Sequence, residues 1–206
     1  MTKVVIGLVA HASGGKETFG TILKEWAGEN GFTVEIISTG SGGLLGKVGD
    51  DLRGTGFQKN TANLIILSNA IRVHLGKDTL ARGAGLLVAR SAAEIVVYDS
   101  IRWDTDMQVV QGFKDHMTIF VTADAETRYQ RLKDRARDGE AVMSWMEFLK
   151  REQDPTAVEI QRLGEMADFK IANKLGLEEY RKSVRNFLQS YVKLILERGN
   201  PSRGIL

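Results

Sequence analysis

Short apolar runs alternate with longer segments of helical period along this chain. The runs are rich in Val and Ile, nearly continuous in apolar character and bounded by turn or polar residues, as in strands buried on both faces. The alternation predicts an α/β fold in three layers, with a five-stranded parallel sheet between helices. The predicted strands are Val4–Val9, Thr33–Ser38, Glu94–Asp99, Met117–Thr122 and Phe169–Ala172.

The intervening segments carry apolar residues at spacings of three and four, the spacing of one helix face. The last of them should pack one face on the sheet through Leu177, Tyr180, Val184, Phe187, Leu188, Tyr191 and Ile195. Helices are predicted at Lys16–Glu29, Thr61–His74, Asp78–Arg90, Ala125–Arg137, Ser144–Arg151 and Leu177–Leu196.

Two regions interrupt the alternation. Gly40–Gly56 holds seven of the 22 glycines, and Arg135–Gln161 carries many charges, so we expect a mobile clamp and a mobile lid. We therefore predict one domain over residues 1–197, with an acceptor-binding segment at about 38–90, a lid at about 128–162, and a flexible tail at 198–206.

Composition narrows the class of protein. The chain has 206 residues, 43% of them hydrophobic and 26% charged, as in an ordinary globular domain. The formal net charge is only +2, and basic residues are interleaved with acids, so no nucleic-acid partner is expected. The absence of cysteine excludes disulfides and thiolate chemistry. The apolar N-terminus is too short for a bilayer, so we expect a cytoplasmic protein without a membrane partner.

The stretch GLVAHASGGKET, at residues 7–18, follows the first predicted strand and opens the first predicted helix. A phosphate-binding loop needs glycine-rich backbone whose N–H groups wrap the phosphates, a lysine and a helix N-terminus. Gly15 and Lys16 fit, whereas Ala10 replaces the first glycine and Glu17 replaces the usual hydroxyl residue. We interpret the stretch as a phosphate loop rather than a glycine turn with an incidental lysine. Its donor-binding residues are then His11, Ala12, Ser13, Gly14, Gly15, Lys16, Glu17 and Thr18.

Phosphoryl transfer also needs Mg²⁺, an acid to hold it, and arginines. In EIVVYDSIRW, Asp99 lies at the end of a predicted strand and Arg102 follows it. Asp99 could position Mg²⁺ or activate the acceptor, and Arg102 could bind acceptor phosphate; the alternative is a helix-capping Asp99 and a solvated Arg102. Since Glu17 cannot act as the hydroxyl ligand, Mg²⁺ would be held through waters and other acids, or by Glu17 in a different geometry.

The segment TRYQRLKDRARDG places four arginines on or just beyond one predicted helix. A closing lid would bring some of them onto the donor phosphates, where the planar guanidinium suits paired contacts. Periodicity favours a surface position for Arg128 and a functional one for Arg131, Arg135 and Arg137.

The acceptor is expected at the carboxyl end of the second strand, where open α/β sheets bind ligands. Ser38, Thr39 and Gly40 lie there, and Arg53 and Arg72 are further candidates. The three histidines show no metal-ligand spacing.

The order of these motifs is similar to that of the nucleoside monophosphate kinase group of P-loop kinases. The Ser-Thr-Gly piece resembles adenylate kinases and the Asp-x-x-Arg piece resembles phage deoxynucleoside monophosphate kinases. The C-terminal half resembles dephospho-CoA kinase and its archaeal and bacterial relatives, through Gln130-Arg131-Leu132, Arg137-Asp138-Gly139, Gln153 or Gln161, Ala167-Asp168 to Ile171 and Asn173, and Leu177 with Val184.

The resemblance covers most of residues 3–190 and departs at Ala10, Glu17 and Gly40–Gly56. It implies a P-loop NTPase fold, ATP as phosphoryl donor, Mg²⁺, a nucleotide-like acceptor, and Asn173 near the donor nucleotide. Dephospho-CoA is the preferred acceptor, because a ribose hydroxyl needs a base such as Asp99. A nucleoside monophosphate is the alternative; from another class, a nucleotide-binding regulator with little turnover is favoured by Glu17. The oligomeric state and the choice of ATP over GTP stay open.

Overall fold

The computed structural model describes residues 2–136 and 140–198. Within these ranges, five parallel strands form one sheet in the order β2-β3-β1-β4-β5. This confirms the predicted three-layer α/β/α fold. The bounds of the five strands differ from the predicted bounds by two residues or fewer. The strands are β1 (Val4–Val9), β2 (Val34–Ile37), β3 (Ile95–Ile101), β4 (His116–Thr122) and β5 (Phe169–Ala172).

Helices cover both faces of this sheet. Over the described ranges they are α1 (Lys16–Glu29), α2 (Leu44–Asp51), α3 (Thr61–His74), α4 (Thr79–Arg90), α5 (Asp104–Gln111), α6 (Ala125–Arg135), α7 (Trp145–Arg151), α8 (Pro155–Glu165), α9 (Leu177–Phe187) and α10 (Lys193–Arg198). A 3-10 turn spans Glu140–Val142, and a π-helical turn at Leu188–Val192 joins α9 to α10.

The central strand β1 shows why the sheet is covered on both sides. All six of its residues are buried, and alternate side chains enter opposite cores because successive residues of a strand point to opposite faces. Ile6 and Leu8 pack with α1 and α9, whereas Val5 and Val9 pack with α4, α5 and α8. The neighbours of β1 are β3, with Val4 opposite Ile95, and β4, with Val5 opposite His116.

Local sequence sets several helix starts. Asn60 accepts a hydrogen bond from the Asn63 amide at 2.9 Å, and Asp124 accepts one from the Thr127 amide at 2.8 Å. Ser144 forms a reciprocal capping box with Glu147, so it precedes α7 rather than belonging to it. These caps satisfy N–H groups that the first helical turn leaves unpaired.

Three helices were absent from the sequence prediction. The glycine-rich segment contains α2, and the charged segment contains α8, in which Pro155 occupies the first turn that tolerates proline. The segment after β3 contains α5. Glycine content and charge hid the short apolar faces by which these helices pack.

The C-terminal helical region departs from the predicted face. The π-helical turn adds a residue to one turn, so the buried positions after Leu188 are Val192 and Leu196. Tyr191, predicted to be buried, is 47% exposed. Residues 199–206, in the predicted tail, lie outside the described ranges.

The segment predicted to be the lid has a small core of its own. Leu132, Met143 and Phe148 are buried together, apart from the two cores that flank the sheet. Trp145 stacks on Phe148 at a ring separation of 5.3 Å, and the Tyr129 hydroxyl donates to the Met143 carbonyl at 2.9 Å. Separate packing is a feature of segments that move as units; motion of this lid and of the acceptor segment stays a prediction.

None of the helices in residues 2–136 and 140–198 is both long enough and apolar enough to cross a bilayer.

Candidate active site

The predicted phosphate loop joins the carboxyl end of β1 to the start of α1. Ser13 and Gly15 have φ angles of 58° and 113°, which turn successive backbone groups in the manner of an anion-binding nest. The Gly14 amide bonds the His11 carbonyl at 3.1 Å and closes the loop. Gly15 is the N-cap residue of α1, and no side chain of a described residue forms a cap hydrogen bond there. The first N–H groups of α1 can therefore bind an anion.

Asn173 and Tyr180 support this loop from below. Asn173 Nδ2 donates to the Gly14 carbonyl at 3.1 Å, and the Tyr180 hydroxyl donates to the Gly15 carbonyl at 3.2 Å. A Cβ on Gly15 would lie 2.1 Å from Asn173 Nδ2, so only glycine fits. Asn173, predicted near the donor nucleotide, is itself buried and acts here as a support for the loop.

Lys16 and Asp99 meet at the floor of the loop. Lys16 Nζ lies 3.0 Å from Asp99 Oδ1 and donates to the Asp99 carbonyl at 2.8 Å. They meet because β1 and β3 are adjacent parallel strands whose carboxyl ends lie at one edge. Asp99 does not cap the next helix, since α5 begins at Asp104 after Trp103. The structure thus joins two residues that are 83 positions apart in sequence.

Glu17 lies close to the contact between Lys16 and Asp99. Together with Lys16 and Asp99 it lines a cavity of about 220 Å³ between α1 and the strands. Among the described residues, no group of three or more His, Cys, Asp or Glu side chains is arranged to hold a metal. Mg²⁺ commonly uses one or two carboxylates, several waters and substrate phosphates, and Asp99 with Glu17 fits that donor set.

The predicted lid arginines differ in position. Arg131 Nη2 donates to the backbone and side-chain oxygens of Asn173, each at 3.1 Å, so it lies beside the phosphate loop. Arg135 instead pairs with Glu140 inside the lid segment, with Nε 3.0 Å from Glu140 Oε2. Arg137 lies outside the described residues.

Arg128 is the arginine that the sequence interpretation misplaced. It was predicted on the surface, but it is only 6% exposed, and its Nε donates to the Ala123 carbonyl at 3.1 Å. Its Nη2 pairs with Glu152, whose Oε2 also lies 3.8 Å from His11 Nδ1 in the phosphate loop. A helical run of charges gives no signal of which member is buried, because the burying helix, α7, is distant in sequence.

His11 connects the loop to α8. Its Nε2 lies 3.1 Å from Gln161 Oε1. Burial lowers the pKa of His11, and the nearby Arg128 charge acts in the same direction, whereas Gln161 and Glu152 oppose the shift. The neutral imidazole is therefore favoured at neutral pH.

Several buried polar atoms around the loop have no hydrogen-bond partner among the described residues: Ser13 Oγ, Arg128 Nη1 and Arg131 Nη1. Buried polar groups in proteins are almost always paired, so unpaired ones call for a ligand or water. Their grouping around a phosphate loop fits an anionic ligand with several oxygen acceptors.

A second cavity, of about 310 Å³, lies between the end of β3 and α3. Thr39, Gly40, Arg72 and Arg102, four of the residues proposed from sequence for the acceptor, all line it. Ser38 lies at its edge, where its hydroxyl is 2.9 Å from Ser100 Oγ and accepts from the Gly40 amide at 3.0 Å.

Arg53 is not brought into this cavity. Its side chain is 76% exposed and pairs with Asp50, Nη2 to Oδ1 at 2.6 Å. The reason is the unpredicted helix α2, which carries the chain out to solvent before it returns to α3.

Trp103 and Asp106 also line this cavity, although the sequence analysis did not single them out. The Arg72 guanidinium lies 4.2 Å from the ring centre of Trp103, so the indole holds it in place by a cation–π contact. Asp106 accepts from the Tyr98 hydroxyl at 2.6 Å and from the Arg102 and Trp103 amides at 3.0 and 3.1 Å. Asp106 thereby fixes the turn that presents Arg102.

Asp106 is buried, and burial has the largest effect on the pKa of its carboxyl group. Burial raises its pKa, while the bonds from Tyr98 and from the two amides act in the opposite direction. Burial and the neighbouring Asp106 charge raise the pKa of Tyr98, so the phenol stays a donor at neutral pH.

Comparison with known sequences finds relatives of low identity. The chain is 25% identical over 188 residues to a UPF0200 protein of Methanoculleus marisnigri, covering 89% of this chain and 94% of the relative. It is 25% identical over 187 residues to a UPF0200 protein of Methanoregula boonei, covering 90% and 96%. No family model matches the chain.

Comparison with solved structures shows the fold. A shikimate kinase from Bacteroides thetaiotaomicron superposes with a TM-score of 0.56 at 15% identity, covering 92% of this chain and 98% of that one. The structure of TT1252 from Thermus thermophilus gives a TM-score of 0.53 at 17% identity, with the same coverage. The chain therefore shares its three-layer α/β/α fold with that shikimate kinase.

Proposed function

We propose that this protein is an ATP-dependent small-molecule kinase that transfers the γ-phosphoryl group to a hydroxyl or phosphate of an anionic acceptor. The observation that carries the proposal is the contact of Lys16 Nζ with Asp99 Oδ1, at 3.0 Å, on the floor of the phosphate loop. Phosphoryl transfer requires an ammonium, a carboxylate and helix N-terminal N–H groups close together.

In this proposal the loop amides of Gly14–Thr18 and Lys16 bind the donor phosphates. The unpaired Nη1 of Arg131 supplies a further donor from the side of α6. Mg²⁺, when bound, would neutralise charge on the phosphates, with Asp99 and Glu17 as its protein neighbours. Arg135 would have to leave Glu140 in order to reach the transferring group, which is the movement expected of a closing lid.

The proposed chemical step is transfer of the γ-phosphoryl group from the donor in the loop to the acceptor nucleophile. If the acceptor nucleophile is a hydroxyl, its oxygen forms the new bond to the γ-phosphorus, the bond to the bridging oxygen breaks, and ADP leaves. Asp99 takes the proton of that hydroxyl. Exclusion of water by the lid would limit wasteful hydrolysis of ATP.

Dephospho-CoA is our first candidate acceptor. The C-terminal motifs support it, and so does Asp99, a carboxylate in contact with Lys16 that could act as base for a hydroxyl nucleophile. The cavity of about 310 Å³ is at the small end of ligand pockets, so it would hold the phosphorylated part of the acceptor rather than the whole molecule.

A nucleoside monophosphate is the second candidate. Arg72 and Arg102 both line the acceptor cavity with Thr39 and Gly40, and two guanidiniums suit a phosphate dianion. An acceptor that is already anionic would not need Asp99 as a base.

The test is transfer of labelled γ-phosphate from ATP with a panel of acceptors: dephospho-CoA, each nucleoside monophosphate, and shikimate as the substrate named for one structural neighbour. We expect transfer to one of the first two classes, and loss of at least a hundredfold in kcat/KM for Lys16→Ala. The matched control is Lys182→Ala, an exposed lysine on α9, which should leave kcat/KM unchanged.

Two outcomes would count against the proposal. ATP binding without transfer to any acceptor would support a nucleotide-binding regulator, for which Glu17 is the supporting feature. Failure of Lys16→Ala to change either binding or transfer would remove the phosphate loop from the function.

A further inference from the structure

The side chain of His11 leaves the phosphate loop and reaches helices that come much later in the chain. Its backbone belongs to the loop, where its carbonyl accepts from the Gly14 amide at 3.1 Å. Its imidazole lies near Gln161 on α8 and near Glu152, the residue that caps the C-terminus of α7. His11 therefore connects the loop to the segment that the sequence predicted to be a lid.

The hydrogen bond to α8 fixes the tautomer of His11. Gln161 Nε2 donates to Glu165 Oε1 at 2.9 Å, so the amide turns its Oε1 toward the imidazole. An amide oxygen only accepts, and His11 Nε2, 3.1 Å away, therefore carries the proton. In the neutral imidazole Nδ1 is then unprotonated. It lies 3.8 Å from Glu152 Oε2, which is too far for a hydrogen bond but close enough for electrostatic contact.

Glu152 is held in place by Arg128. Arg128 Nη2 pairs with Glu152 Oε2, the same oxygen that lies near His11. Arg128 is in turn fixed to the end of β4, because its Nε donates to the Ala123 carbonyl at 3.1 Å. Its guanidinium also lies 5.5 Å from the ring centre of Phe148, which is part of the small core of the lid segment. The end of α7 is therefore fixed beside the imidazole.

Three helices thus meet at one side chain of the loop. Helix α6 contributes Arg128, α7 is capped by Glu152, and α8 contributes Gln161. The ring of Phe120 on β4 lies 6.3 Å from the imidazole and completes its surroundings. Arg128 and Glu152 are the charged neighbours that act on the pKa of His11, in opposite directions. A shift of α7 or α8 would therefore be felt directly at His11.

The loop needs contacts of this kind because its backbone is strained. Ser13, two residues after His11, has a φ angle of 58°, in the left-handed region that residues other than glycine rarely adopt. Such a conformation persists only when the surrounding structure holds it. The backbone bond of His11 to Gly14 spans Ser13, so restraint of His11 also restrains the strained residue.

We propose that His11 is a positioning residue for donor binding, which makes the shape of the phosphate loop depend on the position of α7 and α8. It holds α8 through its Nε2–H bond to Gln161 and stays beside the end of α7 through Glu152. The donor-binding part of this inference rests on the proposed function. The connection between the loop and the two helices does not, and it can be tested without a nucleotide.

The first test is hydrogen exchange of the full chain in the absence of nucleotide, read by mass spectrometry. His11→Ala should speed exchange of the α7 and α8 amides by about threefold or more, because the loop no longer restrains these helices. Amides of β1 and β3 should keep their wild-type rates. The matched control is His74→Ala, at an exposed histidine that ends α3, which should change neither set.

The second test separates donor binding from chemistry. His11→Ala should raise KM for ATP by about fivefold or more and change kcat by less than about twofold, as expected when binding alone is lost. His11→Gln, whose amide nitrogen can take the place of Nε2 and donate to Gln161, should restore most of the affinity. His11→Asn, whose amide reaches only as far as Nδ1, should not.

The third test is spectroscopic. Imidazole ¹⁵N shifts at neutral pH should show His11 as the Nε2–H tautomer in wild type, and His11→Gln identifies its signals by their loss. Gln161→Met removes the acceptor with little change in side-chain length. It should shift the balance toward Nδ1–H, since that proton can then be directed to Glu152.

Several outcomes would overturn the inference. Wild-type exchange rates of α7 and α8 in His11→Ala would exclude the connection, and so would a uniform increase over the whole chain. An unchanged KM for ATP in His11→Ala, or equal KM values for His11→Gln and His11→Asn, would exclude the positioning role. A wild-type chain that binds no ATP would overturn the proposed function and the donor-binding role together, whereas the exchange result would still decide the connection between loop and helices.

Discussion

At the scale of single residues, Asn173 holds two parts of the candidate site together. It bonds the Gly14 carbonyl through Nδ2 and receives Arg131 through its own oxygens, all within a buried position. It therefore couples the shape of the phosphate loop to the first helix of the lid segment.

Replacing Asn173 by Ala should lower the free energy of unfolding by about 1–3 kcal/mol, because the buried groups it pairs are left without partners. ATP affinity should fall with it, since Gly14 loses its support. Denaturant unfolding and calorimetric titration measure the two effects. Asn186→Ala, at an exposed asparagine on α9, is the control; equal values for both variants would contradict the assigned role.

Asp106 gives a prediction of pH dependence. Burial raises its folded pKa, so between the ordinary Asp value of about 3.9 and that raised value the folded state binds more protons than the unfolded state. The contribution of Asp106 to stability is therefore full below pH of about 3.9 and is lost as the pH rises through the folded pKa.

Asp106→Asn cannot ionise and should lack this loss. The free energy of unfolding of the variant should therefore rise relative to that of wild type as the pH is raised from about 4 to about 7. Denaturant melts of both proteins across that range measure the difference. Parallel curves would show that ionisation of Asp106 has no effect on stability.

At the scale of elements, α8 approaches the sheet through a glycine. A Cβ on Gly164 would lie 2.7 Å from three ring atoms of Phe120 on β4, so the helix and the aromatic ring are in direct contact. Leu163 and Ile160 of the same helix are buried beside that ring. The position of α8 matters to the site because Gln161 bonds His11.

Gly164→Ala should destabilise the protein by about 1–3 kcal/mol through overpacking, less a gain of up to about 1 kcal/mol in helix propensity. The matched control is Gly28→Ala in α1, where a Cβ meets nothing within 4 Å; it should be neutral or stabilising. Thermal unfolding of both variants decides. A stabilised Gly164→Ala would show that α8 can move away from β4 without cost.

The π-helical turn shows how an element changes a sequence expectation. Apolar spacing alone places Tyr191 and Ile195 on the buried face, but the extra residue per turn moves burial to Val192 and Leu196. Tyr191 is left to pack its ring on Phe169 at 4.6 Å. Periodicity is read along an ideal helix, and a change of helix type within the run cannot be recognised from it.

At the scale of the whole molecule, the proposed donor site predicts linkage between binding and stability. A non-hydrolysable ATP analogue with Mg²⁺, at about one hundred times its dissociation constant, should add about 2.7 kcal/mol to the free energy of unfolding.

Lys16→Ala should remove most of that gain, whereas Lys182→Ala should retain it. Chemical denaturation with and without the analogue gives the comparison. No stabilisation of the wild type by any nucleotide would contradict the donor site.

The sequence alone determined the strands, most helix bounds, the three-layer class and the glycine-rich turn between β1 and α1, because these depend on residues that are near neighbours in the chain. Alternation of buried positions, capping residues and a glycine-lysine turn act over a few residues, so their pattern is visible in a single sequence.

Tertiary structure decided which arginine is buried, which arginines line the cavity between β3 and α3, and which apolar side chains stay exposed. Arg128 is buried by Glu152 and Phe148, Arg53 is carried away by α2, and Ile66 and Val73 of α3 stay exposed. Each outcome depends on contacts between segments distant in sequence, and burial and charge pairing arise only from such contacts.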